Sequence, residues 1–319
     1  MAAFAAGVDV GGTKIEAIVI DEAGSVLASS RRPTPHEVTD PAGAALADAI
    51  TDALTELLGS DTTVPVGVGL PGMMTTSGVL AFAPNLPTAN GADVVSLIEQ
   101  RRPGTTVVAA NDADCAAVAE FYAGAAQGCE DFALVTLGTG IGGGLYSRGR
   151  LLRGRHGFAG EIGHMVIDVN GPPCPCGSRG CWERFASGSA VGRLAREAAA
   201  AGRLPELVAK LGHPDAVRGE DVTAAAAAGS PEALAVTDEV GWWLARGIAN
   251  LVAILDVSVV VVGGGLGTVA ELLLPPARRA LYELVEGAAV REPIELRAAR
   301  FSAQAGAIGA AFLAREHQR

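Results

Sequence analysis

Residues 4–29, FAAGVDVGGTKIEAIVIDEAGSVLAS, decide the fold. Residues 4–10 are a short apolar run, and Gly11-Gly12-Thr13 is a turn. A second run covers 15–20, Asp21-Glu22-Ala23-Gly24 turns the chain, and 26–29 is a third. The same grammar returns about 127 residues later, in FALVTLGTGIGGGLYSRGRLL at 132–152. There 132–137 reads as a strand, Gly138-Thr139-Gly140 as a turn and 143–147 as a second strand. Arg148-Gly149 turns again, and Leu151-Leu152 opens a third strand. The period is too long for a solenoid. It predicts two similar α/β domains, each opening with a strand–glycine turn–strand hairpin. Glycine allows both the turn and a close approach, so two such turns could hold a polyphosphate through backbone N–H groups. Either turn alone reads equally as an ordinary hairpin; the pair, with Lys14 and two threonines, favours phosphate.

Bulk composition narrows the function. The 319 residues are 49% hydrophobic but only 4% aromatic, which predicts an aliphatic core. A net charge of −11 excludes an extended nucleic-acid surface, since phosphate backbones need a basic patch. No Lys or Arg precedes Lys14, so a signal peptide's basic start is missing. The most apolar stretch, 249–262, is interrupted by Asp256 and falls short of the ~20 residues a membrane span requires. A cytoplasmic protein is expected, without membrane or nucleic-acid partners.

Further along, Asp40-Pro41 supplies an N-cap and a first-turn proline for a helix carrying Leu46, Ile50, Leu54 and Leu57 and closed by Gly59. Asn111-Asp112 follows a strand at 106–110 and precedes a helix at 113–126. A polar pair at the C-terminal end of an α/β strand lies where ligands bind. Asp112 therefore reads either as a catalytic carboxylate or as the helix N-cap. A buried strand at 257–262 leads into Gly263-Gly264-Gly265 and a helix from about 269, a turn suited to a nucleotide.

Residues 138–143 also satisfy G-x-G-x-x-G, with Glu161 roughly where a dinucleotide's ribose partner would be. An NAD-dependent oxidoreductase would need a helix beginning inside that motif. The Gly- and Arg-rich stretch that follows has no helical apolar period. Gly12-Thr13-Lys14 is likewise not a Walker A loop.

His164, Cys174, Cys176 and Cys181 form a Cys3His set, with Pro172, Pro173, Pro175, Gly177 and Gly180 supplying bends. Such a set closes a structural Zn²⁺ with no open position. A redox pair or buried thiols are the other readings. Glu161, His164 and Glu183 flank this loop, where a metal would lock them as partners for a hydroxyl-rich ligand. As solvated surface charges the two glutamates would have no such role.

Taken together, D-V-G-G-T-K at 9–14, G-V-G-L-P-G at 67–72, N-D-A-D at 111–114 and L-G-T-G-I-G-G-G at 137–144 are recognisable, as are E-I-G-H at 161–164 and C-P-C-G-S-R-G-C-W-E at 174–183. The chain resembles the ROK family of sugar kinases, and within it the zinc-containing, ATP-dependent bacterial glucokinases. The resemblance implies the actin-like fold of sugar kinases, Hsp70 and actin, with a cleft between two similar domains. These would be 1–112 plus 303–319, and 113–302 carrying the zinc loop. It implies transfer of the γ-phosphate of ATP to the 6-hydroxyl of glucose, giving glucose 6-phosphate and ADP. Asp112 would be the general base; Gly72, Asn85, Asn111, Glu161, His164 and Glu183 would hold the sugar. Gly11, Gly12, Thr13, Lys14, Gly138, Thr139 and Gly140 would contact the phosphates, and Gly263, Gly264 and Gly265 would lie near the adenosine. Asp9 would organise Mg²⁺, and a homodimer or homotetramer is expected. The family also holds kinases for N-acetylglucosamine, N-acetylmannosamine, fructose and mannose, and non-catalytic sugar-sensing regulators. With the first strand starting at residue 4, the helix-turn-helix of those regulators is not expected.

Overall fold

The computed structural model describes residues 4–36, 43–265 and 267–318, with backbone alone for 267–270. Strands β1 (Ala5–Val10), β2 (Lys14–Ile20) and β3 (Val26–Pro33) come first, then helix α1 (Ala44–Leu58). They are followed by β4 (Val66–Leu70), β5 (Met73–Met74), β6 (Leu80–Phe82), α2 (Val94–Arg101), β7 (Val107–Asn111) and α3 (Asp112–Ala123). Next come β8 (Phe132–Leu137), β9 (Ile141–Ser147) and β10 (Arg150–Leu151), then α4 (Glu183–Ala186), α5 (Gly188–Ala200), α6 (Pro205–Leu211), α7 (Gly219–Ala227) and α8 (Pro231–Leu255). The chain ends with β11 (Val259–Gly263), α9 (Gly267–Leu284), β12 (Glu295–Ala298) and α10 (Ala305–His317). Among the described residues no helix is long and apolar enough to cross a membrane.

The predicted repeat is present in the strand orders. One sheet runs β3-β2-β1-β4-β7 and the other β10-β9-β8-β11-β12, the same plan twice. In the first, β1 pairs antiparallel with β2 and parallel with β4, and β4 pairs parallel with β7. In the second, β11 pairs parallel with both β8 and β12. β3 is longer than the apolar run suggested, because its pairing with β2 continues to Lys14 opposite Pro33.

Contacts group Met1–Glu130, Gly144–Gly160 and Arg300–Arg319 into one compact unit, and Asp131–Gly143 with Glu161–Ala299 into a second. The division expected from the sequence falls at residue 112 instead. Helix α3 falls in the first unit because α10 lies against it: a methyl added at Gly309 would sit 1.6 Å from the Cys115 carbonyl oxygen. Helix α10 also lies directly on β1 and β4, since a Cβ at Gly7 or Gly67 would meet the Ala307 or Ala310 carbonyl at 1.8 Å. Only glycine permits that approach. The unit's core is aliphatic, built on Ile15, Ile50, Leu54, Leu70, Met74, Leu80 and Ile98.

Helix α1 buries Leu46, Ile50 and Leu54 as predicted, with Leu57 only partly buried. It begins after Gly43; the proposed Asp40-Pro41 start lies outside the described residues. Helix α3 stops at Ala123 rather than 126 because Glu120 captures the Ala125 N–H at 2.7 Å. The same carboxylate accepts from the Arg300 and Phe301 backbone at 3.1 and 2.8 Å, stitching the returning chain to α3. In the second unit Trp182 is fully buried against α8. Its indole N–H donates to the Trp243 carbonyl at 2.9 Å, and a Cβ at Gly247 would overlap its ring at 2.0 Å.

Candidate active site

In the first unit, the C-terminal ends of β1, β4 and β7 collect the polar residues singled out by sequence. Asp9 stands near the end of β1, half-buried, with its Oδ1 only 2.4 Å from where a Cβ on Gly306 would be. The adjoining turn is held from two sides. Gly11 N–H donates to Lys14 O at 2.8 Å, while buried Thr34 donates its hydroxyl to Gly11 O at 2.7 Å and its N–H to Thr13 O at 3.1 Å. Turn and candidate sugar residue are neighbours, because a Cβ at Gly12 would lie 4.0 Å from the Asn85 Cβ. Gly72 has φ 108° and no room for a Cβ, which would meet the Phe82 carbonyl at 2.3 Å. Its carbonyl accepts from Asn111 Nδ2 at 2.9 Å.

The alternative left open at Asp112 resolves at its neighbour. The N-cap of α3 is Asn111, whose Oδ1 accepts from Ala113 N at 2.8 Å and Asp114 N at 3.3 Å. Asp112 is the first helical residue, with Oδ1 accepting from Ala113 N at 2.9 Å. Asn111 has its carbonyl oxygen and one N–H engaged by protein, which leaves a single N–H for a ligand.

Charge is concentrated here. Burial pushes the Asp9 carboxyl up to about 7; the Asp112 and Glu16 carboxylates add to the rise and Lys14 opposes it. Such a group weakens the fold once forced to ionise: the unfolded chain gives up the proton near pH 4, the folded chain only near 7. Stability is therefore lost as pH rises through that window and stays reduced above it. Asp9→Asn removes the penalty. At pH 8 in Mg²⁺-free buffer the variant is expected to be about 1–3 kcal/mol more stable than the parent, with the gap closing below pH 4. Paired thermal melts at the two pH values check this; a variant less stable at pH 8 would refute it.

The second unit carries its own set. The Gly138-Thr139-Gly140 turn closes through Gly138 N–H to Gly140 O at 3.0 Å, and Gly188 N–H donates to Gly138 O at 2.8 Å. A Cβ at Gly140 would be 2.6 Å from Glu183 Oε2, so this turn and the start of α4 abut. Gly264 has φ 99° and backs onto β8, where a Cβ would meet the Leu137 carbonyl at 2.5 Å. Among the described residues nothing lies within 4 Å of a Cβ built at Gly138 or Gly265, while Gly263 abuts Ala299. The G-x-G-x-x-G reading fails on its own criterion, because β9, not a helix, begins at Ile141.

His164, Cys174, Cys176 and Cys181 converge with ligand atoms all within 4.8 Å of one another. The Cys176 and Cys181 sulfurs are 3.6 Å apart, and Cys174 Sγ is 3.8 Å from His164 Nδ1. A tetrahedral zinc with Zn–S of about 2.3 Å sets its sulfurs about 3.8 Å apart, so the donor set fits that ion. The loop is shaped for this by Gly177 (φ 92°) and Gly180 (φ 73°), the latter with the Asp168 carbonyl 1.7 Å from any Cβ. The Ser178 backbone N–H holds the Cys176 thiol low, while burial pushes Cys174 and Cys181 up.

Glu183 is tied into the metal loop, while Glu161 stands exposed beside it. Glu183 Oε1 accepts from Cys174 Sγ at 3.0 Å and lies 4.0 Å from His164 Nδ1; Glu161 Oε2 is 4.0 Å from His164 Nε2. Burial holds the Glu161 carboxyl above the usual carboxylate range, against the pull of His164 and with a push from Glu183.

Sequence reasoning passed over four residues around the first turn: Glu16, Arg31, Thr34 and Gln304. Only Glu16 gave a signal, as a charge inside the apolar run 15–20.

Known proteins resemble the chain over nearly its whole length. The chain is 38% identical over 314 residues to a glucokinase of Streptomyces coelicolor, covering 97% of each. It is 35% identical over 310 residues to an N-acetylmannosamine kinase of Citrobacter koseri, covering 96% of this chain and 97% of that one. A solved ROK family glucokinase from Streptomyces griseus, in complex with glucose and AMPPNP, superposes with a TM-score of 0.82 at 38% identity, covering 98% and 99% of the two chains. The repeated α/β plan is thus the actin-like ATPase fold of sugar kinases. The ROK family model matches residues 5–317, and with these full-length relatives it establishes that the chain belongs to the ROK family.

Proposed function

We propose that this chain is an ATP-dependent hexose kinase that phosphorylates the 6-hydroxyl of glucose. The observation that carries the reading is the gathering of Asp9, the Gly11–Lys14 turn, Asn85, Asn111 and Asp112 at one edge of the first sheet, in a chain 38% identical to a kinase solved with glucose and AMPPNP. Phosphoryl transfer asks mainly for positioning and for donors to oxygen charge. Asp112 takes the proton from the attacking hydroxyl as general base. Gly72, Asn85, Asn111, Glu161, His164 and Glu183 hold the remaining hydroxyls. Gly11, Gly12, Thr13 and Lys14 serve the phosphates, as do Gly138, Thr139 and Gly140; Gly263, Gly264 and Gly265 serve the adenosine end. Mg²⁺, when bound with the nucleotide, supplies charge neutralisation on the phosphate oxygens, and Asp9, crowded by two carboxylates, is the residue suited to orient it. His164, Cys174, Cys176 and Cys181 hold a structural Zn²⁺ that organises the loop and activates no water. We place the enzyme in the cytoplasm, as a homodimer or homotetramer.

A panel of glucose, mannose, fructose, N-acetylglucosamine and N-acetylmannosamine with ATP and Mg²⁺, read by coupled ADP release, tests the reading. Glucose is expected to lead in kcat/KM by at least about tenfold, the weight of one well-placed hydrogen bond. The N-acetylmannosamine kinase relative supplies the second reading, and a panel led by N-acetylmannosamine would replace the first with it.

A further inference from the structure

Glu16 sits in the interior of the first unit with a side chain only 1% exposed, yet it carries a charge at the phosphate turn. Three donors reach it. Arg31 Nη2 donates to Oε1 at 2.9 Å, Gln304 Nε2 donates to Oε1 at 3.1 Å, and Lys14 Nζ donates to Oε2 at 3.3 Å. The register explains the cluster: Asp9 pairs with Glu16 across β1 and β2, and Glu16 pairs with Arg31 across β2 and β3. Cross-strand partners share a face, as do residues two apart on one strand. Asp9, Lys14, Glu16 and Arg31 therefore stand together, two carboxyl groups with two cations.

Lys14 cannot serve Glu16 and a phosphate equally. Its side chain is 48% exposed and flexible, so its ammonium can move to an incoming phosphate. If it were Glu16's sole cation, that move would leave a buried carboxylate without a counter-charge, which is strongly unfavourable. Arg31 prevents this. Its guanidinium holds the other oxygen and is always charged, so Glu16 keeps a counter-charge when Lys14 departs.

We infer that Arg31 is a positioning residue for the phosphate donor: by neutralising buried Glu16 it releases Lys14 to bind the ATP phosphates. The inference rests on the kinase reading and on the role given to Lys14 there.

The test compares the parent with Arg31→Met, Arg31→Lys and the double variant Glu16→Gln/Arg31→Met, varying ATP and glucose separately. Arg31→Met is expected to raise KM for ATP about tenfold, with KM for glucose within about twofold of the parent. Arg31→Lys, which keeps the charge, should recover most of the loss. The double variant should return KM for ATP to within about threefold of the parent, because a neutral glutamine places no claim on Lys14. A purely structural role for Arg31 predicts the opposite, since a second substitution in the cluster would deepen the defect. Calorimetric titration of each protein with MgATP runs alongside. If the parent binds MgATP but phosphorylates no hexose, the kinase reading falls while the titrations still decide the role of Arg31. Parental ATP affinity in Arg31→Met, or a double variant no better than Arg31→Met, would overturn the inference.

Discussion

Asp112→Asn is expected to lower kcat with glucose and ATP by about 10²–10⁴-fold, the usual contribution of a positioned general base. The substitution keeps the shape of the side chain and an oxygen able to accept the Ala113 N–H that Asp112 Oδ1 accepts at 2.9 Å. What it removes is basicity. Helix α3 should survive, because its cap is Asn111 and not Asp112. The remaining cost is the loss of one negative charge at a helix N-terminus, about 0.3–1 kcal/mol. Asn111→Ala provides the contrast. It strips the cap from Ala113 and Asp114 and the tie to Gly72, so it should cost about 0.5–2 kcal/mol in stability as well as sugar affinity. The pair of variants thus separates chemistry from scaffolding: Asp112→Asn folds and binds glucose but turns over far more slowly, whereas Asn111→Ala melts early. Single-turnover kinetics with a thermal melt and a glucose titration give all three readings. Parental kcat in Asp112→Asn would remove the base assignment.

That contrast also marks how far the sequence could be read. Asn111 and Asp112 are adjacent polar residues at a strand-to-helix junction, and either can cap a helix; only the coordinates of the side-chain oxygens separate them. The hairpins were legible because glycine turns between apolar runs are local features; the pairing of the later strands onto them was not. The metal cluster was legible for the same reason, since three of its four ligands lie in one short loop. Glu16 was passed over although it is a charge in an apolar strand, and its partners leave no signal at all. Gln304 is 288 residues away and Arg31 reaches it only through the β2–β3 register, neither of which leaves a local pattern. The close seating of α10 on β1 was hidden similarly. Gly7 and Gly67 read as unremarkable strand glycines until the Ala307 and Ala310 carbonyls are found beside them. Long-range partners, rather than local conformation, are what single-sequence reasoning missed.

Loss of the metal is the second large expected effect. Cys181→Ser should reduce bound zinc from about one ion per chain to a small fraction, because a closed structural site needs all four ligands. Cys181 is fully buried and its backbone bridges to Val166, so the loop on both sides depends on it. At least about 3 kcal/mol of stability should go with the ion, a cautious share of what structural zinc supplies in small domains. For a unit of this size that lowers Tm by about 6–12 °C. The functional consequence follows from His164. Its Nδ1 faces Cys174, so metal at Nδ1 leaves the proton on Nε2, on the side of Glu161 4.0 Å away. Glu183, whose Oε1 contacts the Cys174 sulfur and whose Oε2 abuts the Gly140 turn, is tied to the same loop. Without the ion these three groups lose their common reference. KM for glucose should therefore rise about 10–100-fold, the usual cost of disturbing the surroundings of a metal site, while KM for ATP moves much less. Metal analysis, a melting curve and the two KM values check the claim together. A zinc-free protein with parental Tm and parental KM for glucose would show that the four ligands play no part in holding the sugar residues.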